Sequence, residues 1–216
     1  MEGCPMSTFY PCRVYNGVFR KAAHQLLAWG HQDARHLIKG DHLEEHITGL
    51  VVKSIQDRLD NATTPSKYRR YYVGEEDYVR ESDKFGRDRQ RLDIVINSSS
   101  VLPRPAFIFE AKLLRKNGFP IGLYAGDGGM KCFIYGEYAR TNSSAAMIAY
   151  VQTDNPNRWI NELRRVFTND VNKELRIKEG LRKVKILPYL DGEWISRHER
   201  DDNDDIDIFH IFLDCS

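Results

Sequence analysis

Apolar residues recur at helical spacing between positions 16 and 38, where Val18, Ala22, Leu26, Leu27 and Ala34 mark one face before Gly40 ends the run. A second stripe of Leu43, Ile47, Leu50, Val51, Ile55 and Leu59 predicts another helix, with Asp41 as its N-cap and Asn61 to Pro65 closing it. From Tyr68 to Val79 the aromatic and β-branched residues predict a strand or hairpin, and the charged stretch from Ser82 to Gln90, with Gly86, predicts a loop. Arg91 to Ile96 and Ala106 to Leu113 read as strands that are apolar at nearly every position, the pattern of strands buried on both faces. Between them, Asn97 to Pro105 predicts a long hairpin loop. Gly118 to Gly129 is glycine-rich; Lys131 to Tyr138 predicts a helix and Ala145 to Val151 a strand. Trp159, Ile160, Leu163, Val166 and Phe167 predict an amphipathic helix after Pro156, and Val184 to Leu190 and Ile206 to Leu213 predict two last strands. This order implies an α/β fold, a small mixed β-sheet flanked by helices, with residues 1–39 as a helical lead-in and 40–216 as the main domain.

Composition changes this picture little. A chain of 216 residues with 41% hydrophobic and 29% charged positions is ordinary for a globular protein. No apolar run approaches the roughly 20 residues that span a bilayer. Residues 1–12 lack a basic segment followed by a hydrophobic stretch, so a cytoplasmic protein with no membrane partner is expected. Cys4, Cys12, Cys132 and Cys215 form no CxxC pair, which argues for free thiols and against a zinc ribbon. The formal charge is only +1, yet residues 157–185 carry nine Lys/Arg against four Asp/Glu, and residues 201–207 carry five acids and no base.

The chemistry concentrates in the two central strands. Residues two apart on a strand face the same way, so Glu110 and Lys112 project together while Ala111 faces oppositely. Antiparallel pairing of the preceding strand would bring Asp93 beside Glu110. Three ionisable groups within apolar strands are costly to bury unless something pairs with them. A divalent cation on Asp93 and Glu110 answers that cost, with Lys112 kept charged beside a phosphate or a metal-bound water. Mg²⁺ needs only one or two carboxylates, completing its shell with water and substrate phosphate.

Asp93, sixteen intervening residues, then Glu110-Ala111-Lys112 resembles the D…(D/E)xK signature of the PD-(D/E)xK, or restriction-endonuclease-like, nuclease superfamily. Glu110-Ala111-Lys112 is the only Asp/Glu-x-Lys tripeptide in the chain, and no proline precedes Asp93. The resemblance implies a restriction-endonuclease-like core over about residues 40–155 and hydrolysis of phosphodiester bonds with Mg²⁺ or Mn²⁺. Asp93 and Glu110 would hold the metal and Lys112 would serve the attacking water. Superfamily members often add a Glu from the helix before the sheet. Glu44 shares the face of Ile47, Val51 and Ile55, whereas Glu45 points roughly 100° away. Glu44 is therefore expected as a third ligand, or else as part of a capping box with Asp41. Arg91, Gln90, Lys131, Arg158, Arg164 and Arg165 are candidate nucleic-acid contacts, with double-stranded DNA as the expected partner. Dimerisation or a regulatory subunit would supply specificity or restraint, as in a bacterial anti-phage defence system. The stretch from Tyr135 to Val151 resembles one following ExK in some bacterial nuclease-like proteins, with no role attached to it.

Two other readings compete. His42-Leu43-Glu44-Glu45-His46 spells HxxEH, the inverted zinc-peptidase pattern, with Glu45 as general base. A nuclease fold can also serve as a non-catalytic subunit, against which the intact Asp93/Glu110/Lys112 set argues. Among the remaining histidines, His24, His31 and His36 lack useful spacing, and Ser196-Arg197-His198 is a candidate phosphate contact.

Overall fold

A computed structural model describes residues 13–78, 91–190, 192–201 and 205–216. The lead-in before Arg13 and the charged segment containing Gln90 lie outside the described residues. The chain runs α1 (Arg13–Ala34), α2 (Glu44–Leu59), β1 (Tyr71–Tyr78), β2 (Arg91–Ser98), β3 (Ala106–Leu114), α3 (Ile121–Ala125), α4 (Met130–Ile134), β4 (Ser144–Val151), α5 (Pro156–Thr168), β5 (Ile177–Lys183), β6 (Glu193–His198) and β7 (Ile206–Asp214). The strands form one mixed seven-stranded sheet in the order β1-β2-β3-β4-β7-β6-β5. β1, β2 and β3 are successive antiparallel neighbours, β3–β4 and β4–β7 are parallel, and β7–β6 and β6–β5 are antiparallel. Parallel neighbours need a crossover, and these are supplied by α3 with α4 between β3 and β4, and by α5 after β4.

Strand alternation sends side chains into two apolar layers. Phe107, Phe109, Ala111 and Leu113 of β3 join α1 and α2 in one core; Ile108 and Leu114 join α3, α4 and α5 in the other. β4 is buried over almost its whole length, as expected of a central parallel strand covered on both faces. α1 is part of the first core through Phe19, Ala23, Leu26 and Leu27. Val18, expected on its apolar stripe, is instead exposed and Phe19 takes the inward position.

The helix and strand ends differ from expectation in three places, each for a local reason. Residues 131–138 do not stay helical: α4 stops at Ile134, and Gly136 (φ 73°) and Ala139 (φ 51°) turn the chain through the left-handed region. Residues 184–190 are a connection and not a strand. Their apolar side chains pack against the first core, while the carboxylate of Glu193 accepts the amides of Ile186 and Leu187 that a strand partner would otherwise take. The strands lie on either side of it. β5 escaped notice because its sequence, IKEGLRK, is that of an exposed edge, where charge is expected. No helix among the described residues is long and apolar enough to cross a membrane.

α1 and α2 approach closely at Gly30, where a Cβ would stand 2.4 Å from Ile55 Cγ1 and 2.8 Å from the Val51 carbonyl oxygen. Helix propensity alone favours alanine there by about 1 kcal/mol, whereas forcing two packed helices apart costs about 1–3 kcal/mol. The backbone oxygen cannot step aside as a side chain could, so the steric cost should win. Gly30→Ala is expected to lower the urea midpoint with an unchanged m-value; a midpoint that rises would mean the helices separate freely.

Candidate active site

The site begins where two strands part. β2 and β3 pair in register from Asn97–Ala106 to Ile94–Phe109, and the ladder goes no further. Beyond that point β3 continues beside β4 alone, leaving its amides at Ala111 and Leu113 without a strand partner on the β2 side. Both are taken by carboxylates. Asp93 Oδ2 accepts from Ala111 N at 2.7 Å, and Glu44 Oε2, from the first turn of α2, accepts from Leu113 N at 2.7 Å. The notch between the strands is thus lined with acid because backbone donors there need acceptors.

Lys112 lies across this notch. Its Nζ donates to Glu110 Oε1 at 2.8 Å, to Glu44 Oε1 at 3.0 Å and to the Ala111 carbonyl at 2.7 Å. The ammonium therefore has three acceptors for its three protons. Burial opposes its charge, but Glu110, Glu44 and Asp93 outweigh burial and hold its pKa above the ordinary lysine value. Lys112 is a cation at neutral pH.

Glu110 is in the opposite situation. It is 4% exposed, and its Oε2 is buried without a donor. Burial first, and the Asp93 carboxylate second, push its pKa up to about 8 against the pull of Lys112. Asp93 is likewise raised by burial, with Glu45 adding to the effect and the Ala111 amide and Lys112 opposing it. Glu44 is raised by burial, against Lys112 and the Leu113 amide. Asp93 and Glu110 lie within hydrogen-bonding reach of one another. Two carboxylates can share such a contact only with a proton or a cation between them.

The four residues expected to carry chemistry, Glu44, Asp93, Glu110 and Lys112, are therefore together. The capping box is not formed. Leu43 is the N-cap of α2, without a side-chain cap bond, and Glu44 is turned away to Lys112 and β3. Asp41, expected as the cap, precedes the helix by too much. Among the described residues, no three His, Cys, Asp or Glu side chains are gathered closely enough to hold a metal ion by themselves. The orphaned Oε2 of Glu110 and the adjoining Asp93 nevertheless fit a hard cation that completes its shell with water and substrate oxygens.

The other candidates fare differently. His42 and His46 are stacked face to face, with centroids 3.9 Å apart and planes 10° from parallel. Their in-plane nitrogens do not converge on one point as zinc ligands must. Arg158 pairs with Asp154, Arg165 with Glu162, and Arg164 lies over Trp194. Lys131 is held by Asp127 and Glu174, and Arg91 is exposed at the start of β2. α5 packs on α3, β5 and β7, with β4 standing between β7 and β3, the strand of Glu110 and Lys112. The basic and acidic runs answer each other: Arg176 pairs with Asp201, Lys178 with Asp205 and Arg197 with Asp207. Surface pairs of this kind contribute little to stability. Ser196 and His198 do not form a phosphate contact. Both are buried, Ser196 Oγ bridging His198 and His210, and His198 Nδ1 bonding the Leu175 carbonyl.

In the metal-free protein the folded chain keeps a proton on Glu110 that the unfolded chain releases near pH 4.5. The contribution of Glu110 to stability is accordingly full below that value and is lost as pH rises toward about 8. Lys112 stays charged throughout this window. In EDTA the Tm of the wild type relative to that of Glu110→Gln should fall between pH 5 and 8.5, because the buried histidines, whose neutral forms burial favours, are common to both proteins; a constant difference would mean Glu110 ionises as freely folded as unfolded.

In comparisons with known proteins, the chain matches no protein-family model, no curated protein and no solved structure at a significant level.

Proposed function

We propose that this protein is a metal-dependent nuclease of the PD-(D/E)xK kind, hydrolysing phosphodiester bonds, with DNA as its expected substrate. The observation that carries the reading is a buried Glu110 beside the Asp93 carboxylate, its Oε2 without a donor and its Oε1 held at 2.8 Å by an ammonium that is itself fully bonded. Further support comes from topology: the resemblance expects the Asp and the ExK on adjacent strands of a small mixed sheet, with a helix before it, and α2, β1, β2, β3 and β4 have that order.

Asp93 and Glu110 would hold Mg²⁺ or Mn²⁺, with Glu44 at the margin of the same site. The ion supplies an acidified water and a polarised phosphoryl group when bound. The chain's own contribution is then electrostatic and positional. Lys112, kept protonated by its carboxylates, acts as a donor and not as a base. It orients the attacking water and stabilises negative charge growing on the phosphoryl oxygens. Lys112, bonded to Glu110, Glu44 and the Ala111 carbonyl, is the chain's own cation beside the position a phosphate would take. Arg158 and Arg165, in exposed ion pairs, and Arg164, over Trp194, offer backbone contacts beyond the site, and such contacts weaken steeply with salt.

A plasmid-nicking assay tests this directly. Cleavage is expected with Mg²⁺ or Mn²⁺ and none with EDTA, and Glu110→Ala and Lys112→Ala should each reduce it by about 10²–10³-fold. Cleavage that survives both substitutions would place the chemistry elsewhere.

A further inference from the structure

α2 begins at Leu43 without a side-chain cap, so its own first residues do not fix where Glu44 is carried. The chain just before it is held from outside. Residues 39–42 form a turn closed by His42 N, which donates to Lys39 O at 3.0 Å. Gln152, which follows β4 and is 7% exposed, bonds both ends of that turn. Its Nε2 donates to Lys39 O at 3.2 Å and to His42 O at 2.9 Å. Two carbonyl acceptors on one side identify that atom as the amide nitrogen. The oxygen is thereby turned away, and among the described residues Oε1 is buried with no donor. Leaving a buried acceptor unpaired is costly, and what the side chain gains in exchange is the grip on the turn.

The base of Gln152 is fixed to the candidate site. Its backbone N donates to Leu114 O at 3.0 Å, one residue beyond the Leu113 amide that Glu44 Oε2 accepts at 2.7 Å. The next residue, Thr153, accepts Lys116 N at Oγ1. A closed circuit results, from Glu44 to Leu113 and Leu114, from there to Gln152, and through its side chain to His42, two residues before Glu44. Every step of it either follows the chain or is a hydrogen bond of 3.0 Å or less. A second tie, Thr48 Oγ1 to Tyr150 Oη at 3.2 Å, joins α2 to β4 one turn further along and holds the body of the helix rather than its start.

We propose that Gln152 is a positioning residue for the cation site, acting through Glu44: it sets the start of α2 against the end of β3 and so holds the Glu44 carboxylate beside Lys112 and the Asp93–Glu110 pair. This role rests on the nuclease reading for the chemistry the cation would serve. It acts on cation binding, however, and is measured apart from cleavage.

The probe is Mn²⁺ alone, its free concentration followed by electron paramagnetic resonance, with the full chain carrying Gln152→Met, Glu44→Gln or both. Methionine keeps the length and volume of glutamine but cannot donate. Gln152→Met should weaken Mn²⁺ binding about tenfold when Glu44 is present, and less than about twofold when Glu44 is already replaced. Gln152→Asn, a methylene short of the turn, should follow Gln152→Met and takes its place should that variant not fold. Thr48→Val is the control for general loosening of α2, and should lower Tm while binding Mn²⁺ as wild type does. A Gln152 variant that binds Mn²⁺ as wild type overturns the positioning role and leaves the nuclease reading standing. The same follows from an equal loss with and without Glu44, or from Thr48→Val weakening Mn²⁺ as much. A Glu44-dependent loss of Mn²⁺ in a protein that never nicks DNA sinks the nuclease reading and keeps the positioning role. A wild type that takes up no Mn²⁺ overturns both.

Discussion

Two backbone amides on β3 organise this molecule. Where β2 leaves β3, the N–H groups of Ala111 and Leu113 would face a gap, and an unpaired buried amide costs about 1–3 kcal/mol. Asp93 and Glu44 fill the gap with carboxylates that arrive from different directions, one from the departing strand and one from the start of α2. That choice of acceptor has consequences. Each carboxylate satisfies a donor with one oxygen and presents its charge to the notch with the other. Lys112 then becomes necessary to hold the acids together, and Glu110 is left with a surplus oxygen. Had the amides been covered by a continued β-ladder, none of this polarity would have been required.

The site is accordingly a structure of competing terms and not of complementary pairs. Glu44, Asp93 and Glu110 all have their pKa values raised by burial, while the one lysine is raised by their company. Lysine is the only protein cation among them and is already committed to two of the acids. Such a set is unfavourable to stability when considered alone.

The central part of this arrangement was legible from sequence because strand periodicity is strict. A two-residue spacing puts Glu110 and Lys112 on one face whatever surrounds them, and the apolar runs on both sides left little room for another reading. Glu44 was legible only as one of two alternatives, since helical phase does not say where a helix starts; the choice of Leu43 as N-cap decided it. The C-terminal part was read less well. Hydrophobicity at residues 184–190 reflected packing of a connection, and the edge strand β5 was hidden by its charges. The burial of Arg200 could not be seen at all, because its partners are carbonyls, and carbonyls have no sequence signature.

α1 is joined to the far end of the chain. His24, 0% exposed, bonds Glu193 at 2.7 Å across 169 residues, His31 bonds the Asp214 carbonyl, and Arg20 lies over the Phe209 ring. α1 therefore waits for β6 and β7, which are made after it, before its polar groups are satisfied. Loop closure over that distance makes folding late and non-local. An unfinished chain has α2 and the central strands but lacks the brace behind them, so truncation near the C-terminus would loosen the N-terminal helix and, through it, the helix that carries Glu44. The contacts of α1 with β6 and β7 thus make the footing of α2 depend on strands more than a hundred residues away.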